Sequence, residues 1–252
     1  MKPHGSIKGK PVALYVLDYG FFRVHAGPRD IGIQGYLIRT DQGEDILIDT
    51  GFPQKYADDP KAATDEDRLY EFGTVLSCTE DNMPAAQLAR AGSSLDHIAL
   101  MIQTHSHIDH MGHIHACPQA PILIAAAERA LPKPLYWSDV QPVDWPDRDY
   151  ILIEEDTSAG PGLDVFLTPG HAPGQLAIRL DLPKSGPVIL TSDAISRPSE
   201  IDEKFEGSWD APLALHHANR LMQMAEQDGA FVIYGHCPDQ WPTLRKAPEC
   251  YT

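Results

Sequence analysis

The chain reads as an α/β protein of the layered-sandwich type, and three observations predict this. Nine short apolar runs, each four to eight residues long and rich in Val, Ile and Leu, are bounded by Gly, Pro, Asp or Asn, which is the pattern of strands. Only two segments carry clear helical periodicity with helical end signals, and they fall between groups of strands rather than after every strand. At 252 residues, with no internal repeat and no linker-like break, residues 1–252 suit one domain with a sizeable core. That order of elements fits a two-layer or four-layer sandwich better than an alternating barrel.

The expected strands are VALYVL at 12–17, GYLIRT at 35–40, DILID at 45–49, IALMI at 98–102, ILIAA at 122–126, DVFLT at 164–168, QLAIRLDL at 175–182, PVILT at 187–191 and FVIYG at 231–235. DQG at 41–43 reads as the hairpin turn between the second and third. A helix is expected over 83–92, with Pro84 near its start and Gly92 past its end. The clearest helix is 210–229, capped by Asp210, with Pro212 in its first turn and Gly229 as its stop. Its apolar face is expected to carry Leu213, His217, Leu221, Met224 and Ala225. Two segments read as irregular, acidic 52–73 and Pro- and aromatic-rich 131–150, and both suit lids or insertions.

Composition narrows the function classes. A net charge of −16 argues against a nucleic-acid binder, a partner of anionic membranes, or a large, strongly anionic substrate. No stretch approaches the ~18 consecutive apolar residues of a membrane span. The N-terminus lacks a long apolar signal region, so the cytoplasm is the expected location. The four cysteines, Cys78, Cys117, Cys237 and Cys250, form no CxxC pair and require no oxidising compartment. What remains is a partner of small-molecule size, met by a monomer or a homodimer.

The chemistry concentrates in QTHSHIDHMGHIH, which packs five histidines and an aspartate into residues 103–115. His105 and His107 follow an expected strand, and in extended backbone residues i and i+2 point to the same side, so the two can grip one ion. Asp109 and His110 come where the chain must turn and can face a second ion. Two imidazoles do not complete a metal site, and the chain supplies more donors downstream. These are His171 in TPGHAPG, Asp193 in LTSDA and His236 in VIYGHC, each following an apolar run. Donors on loops at strand ends make a rigid site with an open mouth. His113 and His115 fall outside this pattern as surface or site-flanking groups, and His216 and His217 read as core or interface histidines. Cys117 and Cys237 read as small buried hydrophobes. His25 and Tyr19 precede a turn that could reach the pocket, without a role assigned to either.

HxHxDH at 105–110, TPGH at 168–171, the strand-end Asp193 and His236, and LIDTG at 47–51 together resemble the metallo-β-lactamase superfamily of binuclear metal hydrolases. The resemblance runs from about residue 35 to residue 236 with its motifs in order. It implies a four-layer αβ/βα sandwich and two divalent metal ions per chain. One ion is then held by His105, His107 and His171, the other by Asp109, His110 and His236, with Asp193 bridging them. The donor set suits Zn²⁺, and Fe, Co or Mn are also compatible. Asp49 is implied as the carboxylate that orients a ligand imidazole.

Two such ions about 3.5–4 Å apart would hold a bridging hydroxide that attacks a carbonyl, with Asp109 as proton shuttle to the leaving group. Within the superfamily the N-terminal layout, the segment 85–113 and the Asp193–Ala194 pair are similar to the N-acyl-homoserine lactonase group, which implies ring opening of a lactone and a quorum-quenching role. Phe21, Phe22, Tyr136, Trp137 and Trp145 could line an acyl-chain channel, or simply pack. One departure stands out. That group carries a substrate-binding tyrosine three residues after the bridging Asp, where this chain has Ser196. The alternatives are another lactone such as a pyridoxolactone, a thioesterase of the glyoxalase II type, a lactamase or a phosphodiesterase. A thioesterase is disfavoured by the short tail after His236, a lactamase by the missing export signal, and a phosphodiesterase by the acidic charge. The non-enzymatic alternative is a metal-stabilised binding module, which would close each metal with four ligands.

Overall fold

In the computed structural model, residues 2–3, 7–136 and 140–252 are described. A two-residue strand, β1 (Lys2–Pro3), precedes a long hairpin of β2 (Pro11–Val24) and β3 (Arg29–Thr40), followed by β4 (Asp45–Ile48). Helices α1 (Lys55–Asp58) and α2 (Pro60–Asp67) lead to β5 (Gly73–Ser77), α3 (Pro84–Arg90) and β6 (Ile98–Ile102). Then come α4 (Ile108–Met111), β7 (Ile122–Ala125), α5 (Ala126–Arg129), β8 (Tyr150–Ile153), β9 (Thr157–Gly160) and β10 (Leu163–Leu167). The chain closes with β11 (Leu176–Leu182), β12 (Gly186–Ser192), α6 (Ala211–Asp228) and β13 (Phe231–Tyr234).

Two mixed sheets result, one ordered β5-β2-β3-β4-β6-β7-β8 and the other β1-β9-β10-β11-β12-β13. Alternation along the central strands separates the layers. Ile46 and Ile48 of β4, with Leu100 and Ile102 of β6, enter the core between the sheets, where they meet Leu163, Val165, Ile178 and Leu190. Leu47 and Met101 point the other way, into a second core with Tyr56, Leu88, Ile108 and Met111 of the outer helices. On the far face Ala177 and Ile189 pack against Ala214, Ala218, Leu221 and Ala225 of α6. The order of layers is therefore helix, sheet, sheet, helix, the four-layer arrangement of the metallo-β-lactamase sandwich.

All nine expected strands form, and both expected helices do. Asp210 caps α6, its side chain accepting from Leu213 N, and Gly229 ends it in left-handed conformation (φ 63°). Three expectations need correction. Segment 52–73 is largely helical: Asp59 caps α2 by accepting from Ala62 N at 3.0 Å, with Pro60 in the first turn. The buried face of α6 is Ala214, Ala218, Leu221 and Ala225, so Leu213, His217 and Met224 are only half-buried at its margin. Small side chains let the helix sit close on the sheet, which shifts the contact line toward the alanines. Strands β1, β5, β8 and β9 have no counterpart among the expected runs. Segment 131–150 carries no helix or strand among its described residues until β8 begins at Tyr150.

Among the described residues, no helix is long and apolar enough to cross a membrane.

Candidate metal centre

Every donor singled out by spacing sits just past a strand end, and the fold turns those ends to one place. Beyond β6 the chain leaves regular structure until His107, which is extended at φ −64° and ψ 151°, and α4 then forms a single turn that carries Asp109 and His110. His171 lies in the β10–β11 loop, Asp193 follows β12, and His236 follows β13. The potential ligand atoms fall into three groups: His105, His107 and His171; His105, His110 and Asp193; and Asp109, His110 and His236. Within each group those atoms lie within 4.8 Å of one another.

Asp193 stands between two trios. Its Oδ2 lies 3.4 Å from His171 Nε2 and 4.0 Å from His105 Nε2, while its Oδ1 lies 3.2 Å from His236 Nε2 and 3.5 Å from His110 Nε2. Asp109 Oδ2 approaches His110 Nε2 at 3.6 Å and His236 Nε2 at 3.7 Å. His107 Nδ1 is 3.0 Å from His105 Nε2 and 2.9 Å from His171 Nε2.

The outer nitrogens are tied down, which fixes the tautomers. His110 Nδ1 donates to Asp49 Oδ2 at 2.8 Å, and His236 Nδ1 donates to the Gly32 carbonyl at 2.9 Å. The Thr104 hydroxyl donates to Asp49 Oδ2 at 2.7 Å, which leaves Thr104 Oγ1 to accept from His105 Nδ1 at 3.1 Å. Ser192 Oγ lies 2.9 Å from that Thr104 hydroxyl. In each of these three rings Nε2 is left as a lone pair facing the cluster. Asp49 and Ser192 both adopt positive φ, 58° and 45°, in the loops that turn toward the cluster. Non-glycine residues keep such conformations where the surroundings over-determine them.

This donor set fits divalent cations. Lone pairs converge from several imidazoles around a carboxylate whose buried Oδ1 has no hydrogen-bond partner among the described residues. The potential is also that of a cation site. Burial works against charging His110, yet Asp109, Asp193 and Asp49 outweigh it and push the group up to about 10. Burial likewise opposes charge on His236, and Asp193 raises it. Burial would raise Asp193, but His236, His110 and His171 hold it well below the usual carboxylate range. Burial depresses His105 and His107, and the neighbouring imidazoles push them further down.

Around this cluster the other expected residues separate. Ser196 is buried; its N–H donates to Glu200 Oε2 at 2.7 Å and its carbonyl accepts from His236 N at 2.9 Å. Its hydroxyl makes no hydrogen bond among the described residues. The Tyr136 hydroxyl donates to the Asp67 carbonyl at 2.8 Å, tying segment 131–136 to the end of α2. Phe22 is buried in the outer core against Phe52, and Phe21 packs edge-on to Trp241 at 5.9 Å between ring centres. Trp145 closes on its own segment, donating to the Leu131 carbonyl at 2.9 Å under the Arg129 guanidinium. All three aromatics thus make packing contacts within the fold. Trp137 lies outside the described residues.

Tyr19 is fully buried, with its hydroxyl 3.4 Å from the Asp49 carbonyl, and His25 is exposed and bonded to Thr74. His113 and His115 belong to none of the donor groups, and Cys117 and Cys237 are buried free thiols. Sequence reasoning missed Thr104, Ser192 and Glu128, whose partners lie on other elements. Thr104 immediately precedes the first ligand histidine and was the most accessible of the three.

Comparison with known proteins agrees with this geometry. A family model described as the metallo-beta-lactamase superfamily matches residues 30–236. An N-acyl homoserine lactonase of Bacillus cereus is 31% identical over 221 residues, which is 85% of this chain and 84% of that protein. An N-acyl homoserine lactonase of Azorhizobium caulinodans is 29% identical over 240 residues, 88% of each chain. Among solved structures, an N-acyl homoserine lactone hydrolase with the product N-hexanoyl-L-homoserine at its catalytic metal centre superposes with a TM-score of 0.83. It is 25% identical and is matched over 97% of this chain and 100% of that one.

Proposed function

The chain belongs to the metallo-β-lactamase superfamily and is a metal-dependent hydrolase, and from that premise we propose that it opens a lactone ring at a pair of divalent cations. The observation that carries this reading is the meeting of two donor trios across Asp193, one carboxylate oxygen turned to each. His105, His107 and His171 hold one cation, Asp109, His110 and His236 the other, and zinc suits both sets. When bound, such a pair supplies Lewis acidity and brings the pKa of water toward neutrality.

The chain's own groups supply the rest. Asp49 holds His105, through Thr104, and His110 with their Nε2 lone pairs inward, so a donor in each trio is oriented before substrate arrives. Asp109 sits at the rim, its side chain 12% exposed against 2% for His110. Ring opening adds the oxygen of water to the carbonyl carbon and breaks the acyl–oxygen bond. Asp109 is the carboxylate placed to take the proton that the attacking water gives up and to pass it to the leaving alkoxide. Glu200 holds the backbone N–H of Ser196, which leaves the Ser196 hydroxyl to meet the ring directly or through water.

The named relatives make an N-acyl-homoserine lactone the first substrate to test. Ser196 favours a second reading, a different ring such as a pyridoxolactone, because a serine hydroxyl reaches less far than a tyrosine hydroxyl. The test is proton release by metal-quantified protein on short- and long-chain acyl-homoserine lactones, simple γ- and δ-lactones, a pyridoxolactone, a thioester and a cephalosporin. Turnover of lactones with about two metals per chain supports the proposal. Turnover confined to the thioester or the cephalosporin sinks it.

A further inference from the structure

Glu128, on α5, is far in sequence from every donor and belongs to none of the metal-binding groups. It is nonetheless a fully buried carboxylate with both oxygens in use. Oε1 accepts from Ser106 N at 2.8 Å and from the Ser106 hydroxyl at 2.5 Å. Oε2 accepts from Gly174 N at 2.9 Å. Ser106 lies between His105 and His107, and Gly174 lies three residues after His171. One side chain thus joins the two loops that deliver a single trio.

The approach is close as well as bonded. A Cβ on Gly174 would fall 2.4 Å from Glu128 Cβ and 2.7 Å from Glu128 N, so the His171 loop rests directly on α5. Ser106 Oγ also accepts from Leu135 N at 2.9 Å, which carries the connection into segment 131–136. The other trio is held differently, with His110 tied to Asp49 and His236 to the Gly32 carbonyl.

We propose that Glu128 is a positioning residue that clamps the His105/His107/His171 trio and sets its metal affinity independently of the other trio. The proposal rests on the two-cation reading above. Only a carboxylate does this work, because it accepts on both sides. A glutamine in its place offers one accepting oxygen and one NH₂, and that NH₂ would face an N–H donor of Ser106 or Gly174. A bulk structural prop would affect both cation positions alike, whereas a clamp affects one.

The experiment is zinc titration by calorimetry of metal-stripped wild type, Glu128→Gln, Ser106→Ala and Ser106→Thr, with anomalous scattering from zinc-loaded crystals to locate the ions. In Glu128→Gln and Ser106→Ala one binding step is expected to weaken by about 10–100-fold, the usual effect of losing a partner that orients metal ligands, while the other step holds. Ser106→Thr, which keeps the hydroxyl, restores the weakened step, and the ion retained in the weak variants lies at His110 and His236. Ser106→Ala carries the test if Glu128→Gln does not fold. Weakening of both steps together, or of neither, overturns the clamp while a wild type that binds two ions upholds the two-cation reading. A wild type that binds fewer than two ions overturns both.

Discussion

Asp49 reaches both trios with one carboxylate, directly to His110 and through Thr104 to His105. Its side chain is 2% exposed, so an amide in its place cannot turn to water for compensation. Asp49→Asn is expected to lower zinc affinity and kcat by about 10–100-fold, read from calorimetry and from lactone turnover. Unchanged affinity would show that the tautomers are set by something else. Asp109 makes a sharper test, because a chain that only stores metals has no use for its proton transfer. Asp109→Asn is expected to reduce turnover by at least about 10²-fold even at saturating zinc, while the thermal unfolding midpoint of the metal-stripped protein stays near that of wild type. Lactone hydrolysis at the wild-type rate in a folded Asp109→Asn protein removes the shuttle from the mechanism.

Helix α6 and the turn of α4 show how elements hold the site and how far sequence reveals them. Asp210→Ala removes the acceptor for Leu213 N and is expected to cost about 1 kcal/mol, measured as a lower urea midpoint at unchanged slope. At Gly112, just past α4, a Cβ would fall 2.1 Å from Pro53 N and 2.2 Å from Phe52 C, so the turn carrying Asp109 and His110 lies directly on the loop after β4. Gly112→Ala is expected to cost about 1–3 kcal/mol and to lower zinc affinity too, because the turn must move away. Strands with both faces buried, β7 throughout and β6 apart from Ala99, announced themselves as unbroken apolar runs. Strands β5, β8 and β9 did not: β5 and β8 are sheet edges with exposed Leu76 and Leu152, and β9 is the small-residue run TSAG. Helix α2 was hidden by acidic residues on its solvent side, although Asp59–Pro60 was a readable start. The seven potential donors that the fold brings together were legible because each follows a strand with local spacing. Glu128 was not, because its partners lie 22 and 46 residues away and leave no local pattern.

On the two-cation reading the whole molecule joins folding to metal, because the seven potential donors converge only in the folded chain, and a separate group joins it to pH. Each cation that binds the fold alone adds stability as RT ln(1 + [L]/Kd), about 2.7 kcal/mol at a hundredfold excess over Kd. Chelation is therefore expected to lower the melting temperature, and added zinc to raise it in a concentration-dependent way. A midpoint indifferent to zinc would mean that the trios do not bind it. Acid acts through a group outside the donor set. Burial, reinforced by His115, outweighs a hydrogen bond with the Phe52 backbone and lowers His113 from its ordinary value of 6.5 to about 4, and its buried Nε2 has no hydrogen-bond partner among the described residues. The folded chain thus keeps His113 neutral where the unfolded chain already binds a proton. The resulting stability is fully present above pH 6.5, is lost as the pH falls, and levels off below about 4. The span corresponds to roughly 3 kcal/mol at most. Urea unfolding of metal-stripped wild type and His113→Leu isolates the effect, since the ligand histidines are common to both. The difference between the two proteins is expected to be constant above pH 6.5 and to shift against wild type between pH 6.5 and 4. A difference that stays constant down to pH 4 would mean that the folded protein takes up the proton on His113 as readily as the unfolded chain does.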